Sequence, residues 1–143
     1  MSLHYPHAHP PENGALIEVA AGVFWVRMPL PFQLNHINLW LLRDGDGWVI
    51  VDTGFPDDAV RETWTKIIDG LDGPVTRLIV THFHPDHLGL ATWLMEKTGA
   101  PLSMTTGEFL TAHAVWHEFG GHGARFMVEQ FRQHGLGADL LAK

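Results

Sequence analysis

Thr81-His82-Phe83-His84-Pro85-Asp86-His87-Leu88-Gly89 puts three imidazoles and a carboxylate into the six residues from His82 to His87, directly after the apolar triplet Leu78-Ile79-Val80. A short continuous apolar run of that kind reads as a strand buried on both sides. Pro85 suits the first position of a helix, so the histidine run sits where a strand hands over to a helix. Residues two apart in an extended segment point the same way, which lets His82 and His84 present ring nitrogens to one ion as the strand runs out. Asp86 and His87 fall in the first helical turn and aim at a second, neighbouring point. A zinc ion that keeps a position for water usually takes three protein ligands, so each of these half-sites needs further donors.

Outward from the run, the sequence reads as alternating β and α elements. Residues 1 to 14 are rich in Pro and His and read as an extended lead-in, with His4, His7 and His9 exposed. Four strands are expected next, at Ile17 to Val19, Val23 to Met28, Ile37 to Leu42 and Trp48 to Val51. They form an antiparallel meander that feeds into Val51-Asp52-Thr53-Gly54. Val60, Trp64, Ile67, Ile68 and Leu71 recur as one face of a helix capped by Asp57 or Asp58. After the histidine run, Leu88, Leu90, Ala91, Leu94 and Met95 predict one further helix, ended by Gly99 and followed by a strand from Pro101 to Met104. Beyond that the chain is expected to be helical. Thr105 to Glu108 form a capping box, Gly120-Gly121 a break, and a last helix runs to His134. The expected organisation is the lead-in 1–14 and one domain over 15–143, with a helical insertion at 105–135.

The histidine run and the upstream Val51-Asp52-Thr53-Gly54, in that order, resemble the signature of the metallo-β-lactamase superfamily of metal-dependent hydrolases. The resemblance implies an α/β fold, the αββα sandwich, of which this chain is the N-terminal half plus a helical insertion. It implies two Zn2+ ions, with His82 and His84 on the first, and Asp86 and His87 on the second. Asp86 is also the candidate catalytic group, placed to accept or relay a proton. Asp52, at the end of a neighbouring strand, is expected to orient a ligand histidine through its free N–H rather than to bind metal. The implied chemistry is attack by zinc-bound hydroxide on a small ester, thioester or related acyl substrate. The family's remaining ligands, a further histidine for each metal and a bridging carboxylate, have no match in this chain. His122, in the break after Gly121, and the pair His113 and His117 read as helix and loop residues instead. His36 reads as structural or rim-lining rather than as a ligand, and Phe24, Trp25, Trp40, Trp48 and Phe55 as core and pocket wall. The alternative is a noncatalytic half-domain or assembly unit. A di-iron redox relative is disfavoured because the glutamate it carries at the second histidine of the run is here His84.

Composition narrows the partners. Nine Lys and Arg against 16 Asp and Glu give a net charge of −7, with no basic cluster to neutralise phosphates, so an RNA-processing nuclease is disfavoured and no nucleic-acid partner is expected. No apolar run reaches the roughly 18 residues of a membrane span, and no secretory signal opens the chain, so a cytoplasmic location and no membrane partner are expected. With no Cys there is no thiolate ligand and no disulfide, and any metal is held by nitrogen and oxygen. Half of a sandwich leaves apolar sheet surface to be covered, which predicts a homo-oligomer, most simply a symmetric dimer.

Overall fold

The computed structural model describes residues 3–141 and divides into two units, Met1–Met104 and Thr105–Lys143. In the first unit six strands form one sheet in sequence order: β1 (Leu16–Ala20), β2 (Val23–Pro29), β3 (His36–Asp44), β4 (Gly47–Val51), β5 (Val75–Ile79) and β6 (Leu102–Ser103). The first four pair antiparallel, as the turn residues between them predict, and β5 and β6 then add parallel to β4. The change of direction follows from the connection. A tight turn joins antiparallel neighbours, whereas helix α1 (Asp58–Asp69) carries the chain from the end of β4 back to the start of β5.

The period-2 alternation of the strands creates two faces. Val26, Met28, Leu39, Leu41, Ile50 and Leu78 are fully buried on one of them, and α1 contributes Val60, Trp64 and Ile67 to the same core. Register places Trp25 beside Trp40, Trp40 beside Val51 and Val51 beside Ile79 on the opposite face, where these residues are half-buried. Helix α1 starts where the sequence says it should: the Asp57 side chain accepts the N–H of Ala59 at 2.8 Å.

The stretch after β5 departs from the expected single helix. It splits into α2 (Pro85–Leu88) and α3 (Ala91–Thr98). Leu90 leaves helical geometry at φ −104° and ψ 12°, and its buried N–H bonds to Thr53 Oγ1 at 3.1 Å. That tertiary anchor takes Leu90 out of the helical run. Gly99 ends α3 in the left-handed region at φ 72°, as its type predicts.

The second unit is helical, with α4 (Thr106–Trp116), α5 (Ala124–Gln133) and α6 (Ala138–Leu141). Thr105 Oγ1 accepts the N–H of Glu108 at 3.3 Å and so caps α4. Phe109, Leu110 and Trp116 are exposed, and Ala112 is the buried residue of this helix. His113 and His117 stack at 5.9 Å between ring centroids, 10° from parallel. The break comes at Gly120 and Gly121, both at positive φ. Among the described residues no helix is long and apolar enough to cross a membrane.

Candidate metal centre

The parallel strands β4 and β5 end at the same edge of the sheet, joined by Asp52 N–H donating to Ile79 O at 2.7 Å. The carboxyl ends of adjacent parallel strands are where α/β sheets bind ligands, because the loops diverge there. The chain leaves β4 through Asp52, which takes φ 63°, an unusual torsion for a residue with a Cβ. This turn aims the Asp52 carboxylate across at the loop after β5, and the residue is only 4% exposed. Oδ1 accepts from Thr81 N–H at 2.8 Å and lies 3.0 Å from Thr81 Oγ1, while Oδ2 lies 2.9 Å from that hydroxyl and 2.8 Å from His87 Nδ1.

Thr53 locks the same turn from beneath. Its backbone N–H donates to His87 O at 2.7 Å, and its hydroxyl donates to that carbonyl at 2.8 Å. Its own carbonyl accepts the indole N–H of the fully buried Trp64 at 2.8 Å. Two glycines permit the close approach. A Cβ on Gly54 would stand 2.7 Å from Val60 Cγ1, and one on Gly89 would strike Pro85 O, with Pro56 Cδ at 2.5 Å.

The four candidate ligands converge at this edge. His82 Nε2 is 3.0 Å from His84 Nδ1, His87 Nε2 is 3.7 Å from Asp86 Oδ2, and the His82 and His87 rings are 3.8 Å apart between centroids. His82 thus adjoins both His84 and His87, and His87 also adjoins Asp86. Burial first, then the neighbouring His87 and His84, push the His82 pKa below its ordinary value, which keeps its ring neutral as a metal ligand requires. Among the described residues no three His, Asp or Glu side chains already close on one point as a metal shell. The donor set nevertheless fits a nitrogen-and-oxygen metal such as zinc: three imidazoles, a carboxylate, and one imidazole already oriented through its other nitrogen by a buried carboxylate.

A family model for the metallo-β-lactamase superfamily matches residues 33–129. The chain belongs to that superfamily. A solved β-lactamase domain protein from Burkholderia ambifaria is 46% identical to it, with a TM-score of 0.76 over 92% of this chain and 40% of that one. The probable metallo-hydrolase YybB of Bacillus subtilis is 30% identical over 91 residues, which are 61% of this chain and 39% of that protein. The hydroxyacylglutathione hydrolase of Thiobacillus denitrificans is 38% identical over 71 residues, 49% of this chain and 25% of that one. The metallo-β-lactamase-like α/β fold is therefore present here as a part, since the chain spans less than half the length of each of these relatives.

The other histidines make different contacts or none that bears on the cluster's own unit. His36 opens β3 and pairs with Asn35 Oδ1 at 2.9 Å, while His7 packs edge-on against Trp25 at 6.3 Å. His4 and His9 are exposed, and His122 is exposed within the helical unit. Trp48 and Phe24 pack edge to face at 5.3 Å at the core, whereas Trp25 and Trp40 lie on the opposite sheet face. Two residues that sequence reasoning passed over, Thr53 and Thr81, hold the site together. A signal was available for both, since each is a hydroxyl residue adjoining a candidate site residue inside a motif.

Proposed function

We propose that this chain supplies part of the active site of a metal-dependent hydrolase acting on a small ester, thioester or related acyl substrate. The observation that carries the reading is the convergence of His82, His84, Asp86 and His87 at the shared end of β4 and β5, with the buried Asp52 carboxylate holding His87 Nδ1 at 2.8 Å. In the proposal His82 and His84 hold one zinc ion, and Asp86 and His87 hold a second. Zinc bound there would lower the pKa of a coordinated water from 15.7 toward about 7 and supply hydroxide. The protein's own part is to orient the ligands and to accept or relay a proton at the Asp86 carboxylate as the leaving group departs. Acyl chemistry is supported by the likeness to a hydrolase of hydroxyacylglutathione. An acidic chain is a poor surface for a polyanion, which argues for a small substrate over RNA.

The test is metal analysis with activity on the same sample. Two equivalents of zinc per chain, with hydrolysis of ester or thioester probes lost in His82→Ala and His87→Ala, support a working enzyme. A folded protein that takes up no zinc from a buffered solution refutes the reading and leaves a noncatalytic assembly unit. Self-association is part of the same proposal, supported by the exposed Phe109, Leu110 and Trp116. Sedimentation tests it, with a symmetric dimer expected and a stable monomer at high concentration refuting it.

A further inference from the structure

We infer that a cavity beside Arg27 binds the amino-acid end of a small molecule, its carboxylate on the Arg27 guanidinium and its ammonium on the Glu12 carboxylate. The cavity holds about 410 Å³ and is lined by Pro10, Pro11, Glu12, Asn13, Arg27 and Asn35. The lead-in is fastened against β2 to make it. Gly14 N–H donates to Arg27 O at 3.3 Å, and Ala15 N–H donates to Glu12 O at 2.9 Å, which closes the turn that carries Glu12 and Asn13. On the other side, Leu30 N–H donates to Asn35 O at 3.0 Å and closes the loop between β2 and β3. Arg27 alternates along β2 with the fully buried Val26 and Met28, so its side chain stands on the sheet face away from that core.

What the cavity recognises follows from its charges. It is lined by one guanidinium, one carboxylate and two carboxamides, yet among the described residues neither Arg27 nor Glu12 joins an ion pair. A plain anion would be drawn to Arg27 and repelled by Glu12, and a plain amine the reverse. A molecule that carries both charges meets both partners, and the amides of Asn13 and Asn35 add donors and acceptors around it.

Its place in the fold ties the cavity to the metal centre. β2 runs in the same direction as β4, since each is antiparallel to β3, so the carboxyl-terminal part of β2 that carries Arg27 lies towards the same sheet edge as Asp52 and the histidine loop. Two to three strand spacings of about 4.8 Å separate β2 from β4 and β5, a span of about 10–14 Å. An extended chain of about three or four residues covers that distance. Taken with the proposed hydrolase, on which this step rests, the substrate is an acyl compound whose amino-acid end lies about 10–14 Å from the bond that breaks.

The test needs no metal. Amide NMR follows the full chain, stripped of metal by a chelator, while L-alanine, N-acetyl-L-alanine or L-alaninamide is added. These probes carry both charges, the carboxylate alone and the ammonium alone. Saturating shifts at Asn13, Arg27 and Asn35 are expected with L-alanine. The other two probes should bind about tenfold more weakly, since each forfeits one charge-assisted hydrogen bond. Arg27→Gln should abolish binding of L-alanine, while the α1 amides stay in place and show that the fold is intact. Glu12→Gln, at an exposed position, should remove the preference for L-alanine over N-acetyl-L-alanine. No shift with any probe, equal binding of all three, or binding kept in Arg27→Gln overturns the inference. So does a parent chain that prefers N-acetyl-L-alanine, which would make the cavity a plain anion site. The two proposals fail separately. A chain that binds L-alanine but takes up no zinc keeps this cavity and loses the hydrolase, whereas a zinc-dependent esterase blind to L-alanine loses the cavity alone.

Discussion

Replacing Thr53 with valine isolates how much the buried hydroxyl contributes to holding the histidine turn. Threonine and valine have nearly the same shape, and position 53 has no solvent exposure, so the substitution deletes two hydrogen bonds and little else. His87 O loses the hydroxyl at 2.8 Å but keeps the Thr53 N–H at 2.7 Å, a net loss of about 1 kcal/mol for one hydrogen bond. Leu90 N–H, in a residue only 1% exposed, loses the acceptor at 3.1 Å, and a buried donor left unmet costs about 1–3 kcal/mol. Thr53→Val should therefore destabilise the chain by about 3 kcal/mol in total. Thr53→Ser keeps both bonds and deletes one methyl, which costs about 1 kcal/mol. Urea unfolding followed by tryptophan fluorescence reads the difference, and Trp64 is a local reporter because its indole bonds to Thr53 O. With a slope of about 2 kcal/mol per molar urea, the valine midpoint should lie about 1 M below that of serine. A valine variant as stable as the serine variant would refute the hydrogen-bond account, because valine is the better fit to the cavity.

Gly89→Ala should destabilise by about 1–3 kcal/mol, because the added methyl meets Pro85 O and Gly54 O, neither of which is a flexible side-chain end. Thermal unfolding measures it, and an unchanged midpoint would mean that the turn shifts freely. Asp52→Asn should weaken zinc binding by about 10- to 100-fold while the fold persists, as competition titration and circular dichroism would report. Asp72 lies at the other end of the sheet, where the Arg43 guanidinium first, and then the Trp48 indole, hold its carboxyl at about 2 instead of 3.8. A depressed carboxyl stabilises the fold above its ordinary value and loses that contribution as pH falls toward the folded value. The urea midpoint of the parent chain should therefore decline between about pH 4 and pH 2 more steeply than that of Asp72→Asn, and parallel curves would discount the pair.

Local chemistry made much of the first unit legible. The turn residues separate the four meander strands where expected, Asp57 caps α1, and Gly99 ends α3 with the torsion its type favours. The metallo-β-lactamase family and its α/β fold were readable from two ordered motifs. The break between α2 and α3 was not, because periodicity assigns Leu90 to a helical face and carries no trace of the hydroxyl 37 residues earlier that captures its N–H. The roles of Thr53 and Thr81 were hidden for the same reason, since both depend on which strand end lies beside which. The spacing of the histidine run shows which residues are neighbours along the loop, but the contact of the His82 ring with His87 comes from the fold of the loop. The exposure of Phe109, Leu110 and Trp116 was equally invisible, since an apolar helix residue reads the same on paper whether it is covered or exposed.

The backbone torsion at Asp52 restricts the choice of residue there before any chemistry is considered. At φ 63° the alternatives tolerated without strain are glycine and asparagine. Glycine offers no acceptor, and asparagine offers one oxygen where Thr81 and His87 together engage two. Conformation and hydrogen bonding thus agree on aspartate by separate routes, and drift at this position has no path that keeps both.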